Sequence, residues 1–366
     1  MRGAISDVTG VSYGDMSLIL AFAQLFYGLL QPVFGVLALK KSNTFVLCLG
    51  ALLMITGLVC TPISSGFFMV LLFLGAILPI GTAALCFGMV MGTISPALPK
   101  KYAATVSGFL SAANGIASSV MAPVIQQLIA AHRIRVTMWI LCIPTALVIP
   151  LAVWLAWKSV SPVVEPESLS HEDTSIKTLF SEGIRNREYR HAALAFFTCG
   201  FHMTIIETHL YTQITGYGFA EDIAAYGFTL YGVFTIAGSI VVGALCSRFR
   251  NKTVLGCLYG ARPIMILLFL LLPKSVFTVY AFMILLGFTG NATVPPTSGI
   301  IRREFRPEKF ATLYGLCMVA HQIGGFFSSW VGGLLVEATG SYAAIWLICA
   351  ALAAGASVLA FTVHEE

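Results

Sequence analysis

The chain has 366 residues, 58% of them apolar and only 10% charged, with a mean hydropathy of +0.88 and a formal net charge of +5. So few charges on so apolar a chain exclude an ordinary soluble globular domain and place it in a bilayer as a polytopic protein. The cations are scattered through short loops instead of gathered on one basic face, so no nucleic-acid partner is expected.

Apolar runs long enough to cross the hydrocarbon core as helices fall near 14 to 38, 43 to 62, 67 to 94, 102 to 131, 137 to 157, 191 to 213, 222 to 247, 252 to 272, 276 to 300, 309 to 337 and 341 to 363. These eleven runs are continuous and rich in Gly, Ala and Leu, as helices packed on small residues are, and they lack the short alternating segments of a membrane β-barrel. The nine cysteines lie in or at the ends of the runs without a Cys-x-x-Cys pair, and are read as small packing residues.

The loops set the orientation. If those after the first, third, fifth, seventh and ninth runs face the cytoplasm, they hold sixteen of the 21 cations, Lys40, Lys101, Arg190, Arg248 and Arg303 among them. The positive-inside rule then makes the C-terminus cytoplasmic and the N-terminus external. The opening Met1-Arg-Gly-Ala-Ile-Ser-Asp7 has no apolar h-region and is not a signal peptide.

A polar stretch, 158–190, separates an N-terminal bundle, 1–157, from a C-terminal six-helix bundle, 191–366. Within it Ile176, Leu179, Phe180 and Ile184 recur at helical spacing, which predicts a short interfacial helix capped near Asp173 or Thr174.

The two bundles repeat each other at an offset of about 207 residues. Gly35-Val-Leu-Ala-Leu-Lys40-Lys-Ser-Asn43 matches Gly243-Ala-Leu-Cys-Ser-Arg248-Phe-Arg-Asn251, and Ala104-Thr105-Val-Ser-Gly108 matches Ala311-Thr312-Leu-Tyr-Gly315. Subtracting the offset from the sixth run puts its counterpart almost wholly before Met1, so the first bundle is expected to hold five helices and to lack its first. With two such halves, a central linker and a Gly-x-x-x-Asp-Arg-like loop in each, the chain resembles the major facilitator superfamily. The resemblance implies an all-α fold of two pseudo-symmetric bundles and a gating role for Lys40 and Arg248, although Leu39 and Ser247 stand at the loop's acidic position. Cys199-Gly-Phe-His-Met-Thr-Ile-Ile-Glu-Thr-His-Leu210 and Thr312-Leu-Tyr-Gly-Leu-Cys-Met-Val-Ala-His-Gln-Ile-Gly-Gly325 are similar to the branch of oxalate/formate antiporters and monocarboxylate porters.

In such bundles the solute site lies near the midplane, so polar stripes inside the runs are the candidates. The tenth run carries Tyr314, His321 and Gln322, and its repeat partner carries Ser111, Asn114 and Ser118, with His321 and Asn114 as symmetry mates. His321 is either a ligand for a carboxylate, a position where the resemblance also implies a basic residue, or a histidine bonded to a neighbouring helix. In the sixth run Thr198, His202, His209 and Gln213 share one face, while Thr204, Glu207 and Tyr211 lie nearly opposite. Glu207, His202 and His209 are candidate proton carriers, against snorkelling for Glu207 and helix-to-helix hydrogen bonds for the histidines. Arg262, the permanent cation inside the runs, is a counter-ion for an anion or a structural arginine that bonds freed carbonyls.

There is no His-Glu-x-x-His motif, P-loop or Gly-x-Ser-x-Gly elbow, so neither an enzyme nor a nucleotide-driven pump is expected, and no cofactor or metal. The expectation is a monomeric secondary carrier of a small anionic solute in the lipid bilayer of the cell (inner) membrane. A non-transporting sensor or an inactive, N-terminally shortened carrier are the alternatives.

Overall fold

The computed structural model describes residues 2–95, 98–158 and 175–365, and all regular structure among them is helical. In chain order the helices are α1 (Arg2–Thr9), α2 (Tyr13–Lys40), α3 (Asn43–Cys60), α4 (Phe67–Val70), α5 (Leu78–Ala84), α6 (Phe87–Ile94), α7 (Lys100–Ile116), α8 (Ala122–Ile140), α9 (Cys142–Ala146) and α10 (Val148–Lys158). There follow α11 (Ile176–Arg185), α12 (Arg187–Ile205), α13 (Tyr211–Gly216), α14 (Glu221–Leu245), α15 (Asn251–Leu271), α16 (Val276–Thr289), α17 (Val294–Glu304), α18 (Phe310–Thr339) and α19 (Ala343–Phe361). Three wider, π-helical turns join neighbours into continuous rods: Leu71–Ile77, Ala117–Met121 and Ile206–Leu210.

Nine stretches among the described residues are long and apolar enough to cross a membrane. The other two expected runs are helical as well. One is α7 with its π-turn and the start of α8; the other is α12, its π-turn and α13, where histidines and a glutamate dilute the apolar character. The loop expected between the fourth and fifth runs shrinks to a break at Arg133 inside α8, whose φ of 61° is a conformation that favours glycine.

Where a side chain caps a helix it is mostly a serine hydroxyl, which satisfies a backbone N–H that has no partner in the first turn. Ser42 accepts from Phe45 N at 3.1 Å and Ser275 from Thr278 N at 3.2 Å. Ser175 likewise accepts from Thr178 N at 3.1 Å, so α11 begins one or two residues later than the sequence predicts. Asp173 and Thr174, the expected caps, lie outside the described residues.

The helices pack into two compact units. The first comprises Met1–Ala97, Ala122–Glu182 and Pro307–Leu316; the second comprises Leu98–Met121, Gly183–Arg306 and Cys317–Glu366. Boundaries at 157 and 191 therefore follow the repeat in sequence, while packing assigns α7 to the second unit and the start of α18 to the first. In the first unit Phe34, Val46, Leu47, Ala83, Ala84 and Met89 form one core cluster, and α3 meets α5 so closely that a Cβ on Gly81 would stand 2.5 Å from Met54 N. The first unit also contains a cavity of about 370 Å³ between α2 and α5, lined by Gln24, Tyr27, Thr82 and apolar neighbours. In the second unit Tyr231, which the repeat relates to Gln24, donates its Oη to Met203 Sδ at 3.4 Å, and Met203 abuts Gly290.

Candidate functional site

The polar residues of the second unit converge where α12 crosses α18. Neither Gly200 nor Gly324 could carry a side chain there: a Cβ on Gly200 would strike the His321 carbonyl, and one on Gly324 the Phe197 carbonyl. This close approach brings the His321 ring to 5.0 Å, centroid to centroid, from Phe196 and against the Cys199 thiol. His321 Nδ1 lies 3.1 Å from Gln322 Oε1.

Glu207 stands in the π-turn Ile206–Leu210, on an exposed face, within electrostatic range of His321. A π-turn holds one residue more than an α-turn, so the helix beyond it is turned by roughly 100° relative to a continuous α-helix. This changes the face assignment read from the sequence. His202 is buried and points to α19, where its Nε2 donates to Cys349 O at 2.8 Å. His209, expected beside it, instead approaches Ser329 O of α18 at 3.3 Å. Gln213 returns to α19, its Oε1 accepting from Trp346 Nε1 at 2.8 Å. Glu207 and Thr204 are thus on the accessible side, and His202 and Gln213 inside the unit.

Arg262 is 1% exposed and fully engaged. Its Nη2 donates to Thr289 O at 2.7 Å and Gly290 O at 3.0 Å, and its Nη1 to His202 Nδ1 at 3.1 Å. Those carbonyls are freed because α16 ends at Gly290 and α17 restarts only after the 3₁₀ turn Asn291–Thr293, ahead of Pro295 and Pro296. A cation at a helix C-terminus also meets the negative end of its dipole. Since the carbonyl of Cys349 can only accept, His202 holds its proton on Nε2 and offers a bare Nδ1 to the guanidinium: it is the neutral tautomer, with both nitrogens occupied. The carbonyls that Arg262 bonds come from the break after α16 and not from Pro263.

The remaining expected site residues are dispersed. Ser111 donates to Asn291 O at 3.0 Å and is buried in that contact. Tyr314 belongs to the first unit, stacked on Phe310 at 5.6 Å with Phe87 tilted against it at 4.9 Å. The side chains of Asn114 and Ser118 lie outside the described residues. Lys40, at the end of α2, and Arg248, in the turn after α14, are both exposed. Cys199 and Thr293 were not foreseen; their side chains meet at 3.1 Å beside Gly290. The Pro295-Pro296 pair was the available signal that polar groups would be needed near that break.

Comparison with known proteins bears on the fold. The family model described as Major Facilitator Superfamily matches residues 3–228 and 192–366. A Bacillus subtilis (strain 168) protein described as the uncharacterized MFS-type transporter YcxA is 27% identical over 159 residues, 42% of this chain and 38% of the relative, so the match spans well under half of that protein. Among solved structures, a variant of the E. coli fucose:proton symporter FucP superposes with a TM-score of 0.75 at 17% identity, covering 100% of this chain and 95% of that one. FucP in the outward conformation gives 0.79 at 18% identity, covering 100% and 93%.

Proposed function

The chain belongs to the Major Facilitator Superfamily, and from that premise we propose that it is a secondary carrier of a small organic anion, a monocarboxylate or dicarboxylate, working by alternating access. The coupling is proton symport or anion exchange, in the cell membrane, with the C-terminus cytoplasmic as the distribution of cations predicts. The observation that carries the reading is that Glu207, exposed, and His321, half-buried, stand within electrostatic range of each other on two helices in contact, while Arg262 and His202 are occupied elsewhere.

An imidazole offers an N–H to a carboxylate and, when protonated, a positive charge as well. A proton taken up by either Glu207 or His321 makes the pair one unit more positive, which favours an anion beside it and links the two fluxes. Similarity of residues 199–210 and 312–325 to the oxalate/formate and monocarboxylate branch supports the anion class, and the fold shared with a fucose:proton symporter is in keeping with proton coupling.

The test is uptake of labelled carboxylates by proteoliposomes, with and without an imposed pH gradient or trans anion. Saturable, gradient-driven uptake is expected. Loss of one charge-assisted hydrogen bond, about 1.5–3 kcal/mol, means that His321→Ala should lower kcat/KM by roughly 10- to 100-fold without affecting insertion. Glu207→Gln should keep exchange and lose accumulation driven by the proton gradient. Absence of saturable uptake of any anion would reject the substrate class, and tight binding without counterflow would mark a sensor.

A further inference from the structure

We propose that Arg262 is a positioning residue for His321, acting through the Gly290 carbonyl and the Cys199 thiol at the break between α16 and α17. The Gly290 carbonyl is the hub of the arrangement. It accepts from Arg262 Nη2 at 3.0 Å, from Thr293 Oγ1 at 3.2 Å and from Cys199 Sγ at 3.8 Å. Cys199 in turn meets the His321 ring, which rests on Phe196 one turn earlier, and the His321 backbone presses on Gly200. One turn of α12, residues 196 to 200, therefore holds His321 from three sides.

That turn is fixed at both ends by α15. Tyr259 Oη donates to Ala195 O at 2.6 Å above it, and Arg262 reaches His202 Nδ1 below it. The guanidinium alone bonds two carbonyls and an imidazole at once, tying α15 to the end of α16, to α12 and, through His202, to Cys349 of α19. A lysine keeps the charge but has no planar fork to span these acceptors. Without the fork the carbonyls of Thr289 and Gly290 lose their donor in an apolar setting, the break relaxes, and Cys199 no longer stands where His321 needs it.

The proposal rests on the reading of His321 as a solute ligand, so the experiment carries one arm that needs no transport. Arg262→Lys, Cys199→Ala, Cys199→Ser and the double variant Arg262→Lys/Cys199→Ala are reconstituted, with Ser357→Ala as a control that removes a buried hydrogen bond to the same helix, from Ser357 Oγ to Gly256 O at 2.8 Å. Expected are a roughly 10-fold rise in KM with kcat largely kept in Arg262→Lys, the same rise in Cys199→Ala, a smaller one in Cys199→Ser, and no further rise in the double variant. Ser357→Ala should lower Tm and leave KM alone. Additive effects in the double variant, or a wild-type KM in Arg262→Lys, overturn the proposal. If Arg262→Lys does not insert, an unchanged KM in Cys199→Ala overturns it. Should His321→Ala prove to have normal uptake, alkylation of Cys199 by N-ethylmaleimide, followed by mass spectrometry, decides: faster labelling in Arg262→Lys than in Ser357→Ala keeps Arg262 as the holder of this turn, and equal labelling removes it.

Discussion

One added methyl group at Gly200 would collide with a backbone carbonyl, which cannot rotate away as a side chain can. Gly200→Ala is therefore expected to cost about 1–3 kcal/mol of stability by overpacking, read as a lowered Tm of the purified carrier, and to raise KM because His321 is the residue displaced. An alanine at Gly333, where nothing lies within 4 Å, should be neutral in the same assay. His321, Glu207 and Arg262 were legible in the sequence because an ionisable side chain in an apolar run demands a reason. Cys199 and Thr293 were not, since a cysteine or threonine in such a run is as a rule a packing residue, and only the break after α16 turns this pair to other use.

Among the elements, the π-turn Ile206–Leu210 decides which side chains meet. Deleting Thr208 should close the π-turn to an α-turn, leaving Gln213 beside Trp346 but re-aiming Glu207 within the turn. The Tm is therefore expected to stay close to that of the wild type, while proton-driven uptake is lost. Thermal unfolding and proteoliposome uptake, measured together on the deletion variant, check both. A helical wheel drawn at 3.6 residues per turn placed His202, His209 and Gln213 on one face, and the structure separates His209 from the other two. No residue type marks a π-turn in advance, so the error was built into the periodicity. The linker helix shows the opposite case: its apolar spacing was sufficient, and only its cap moved, to Ser175.

For the whole molecule, hydropathy and the repeat were enough to read an all-helical, duplicated membrane fold, because both are written in residue type alone. The grouping of helices was not, since an apolar helix surface does not name its partner; α7 packs in the second unit although it opens the fourth run of the first bundle. The same repeat relates Gln24, at the first unit's cavity, to Tyr231, which bonds Met203 in the second unit. Orientation is open to a direct check. Cysteines introduced at Lys40 and Arg248, both exposed, should react with a membrane-impermeant maleimide in inside-out vesicles and not in right-side-out ones. Labelling from the outer side would invert the topology. Arg262 has a last consequence at this scale. Its hydrogen bonds occupy the guanidinium but cancel none of its charge, since among the described residues the one ion pair is Lys309–Glu182, at 2.8 Å. At a separation of roughly 8 Å and an effective dielectric constant of about 20, a monovalent anion is still drawn by about 2 kcal/mol, and a cation repelled as strongly. On the proposed reading of the chain as an anion carrier, this field sorts solutes by sign before any side chain touches them.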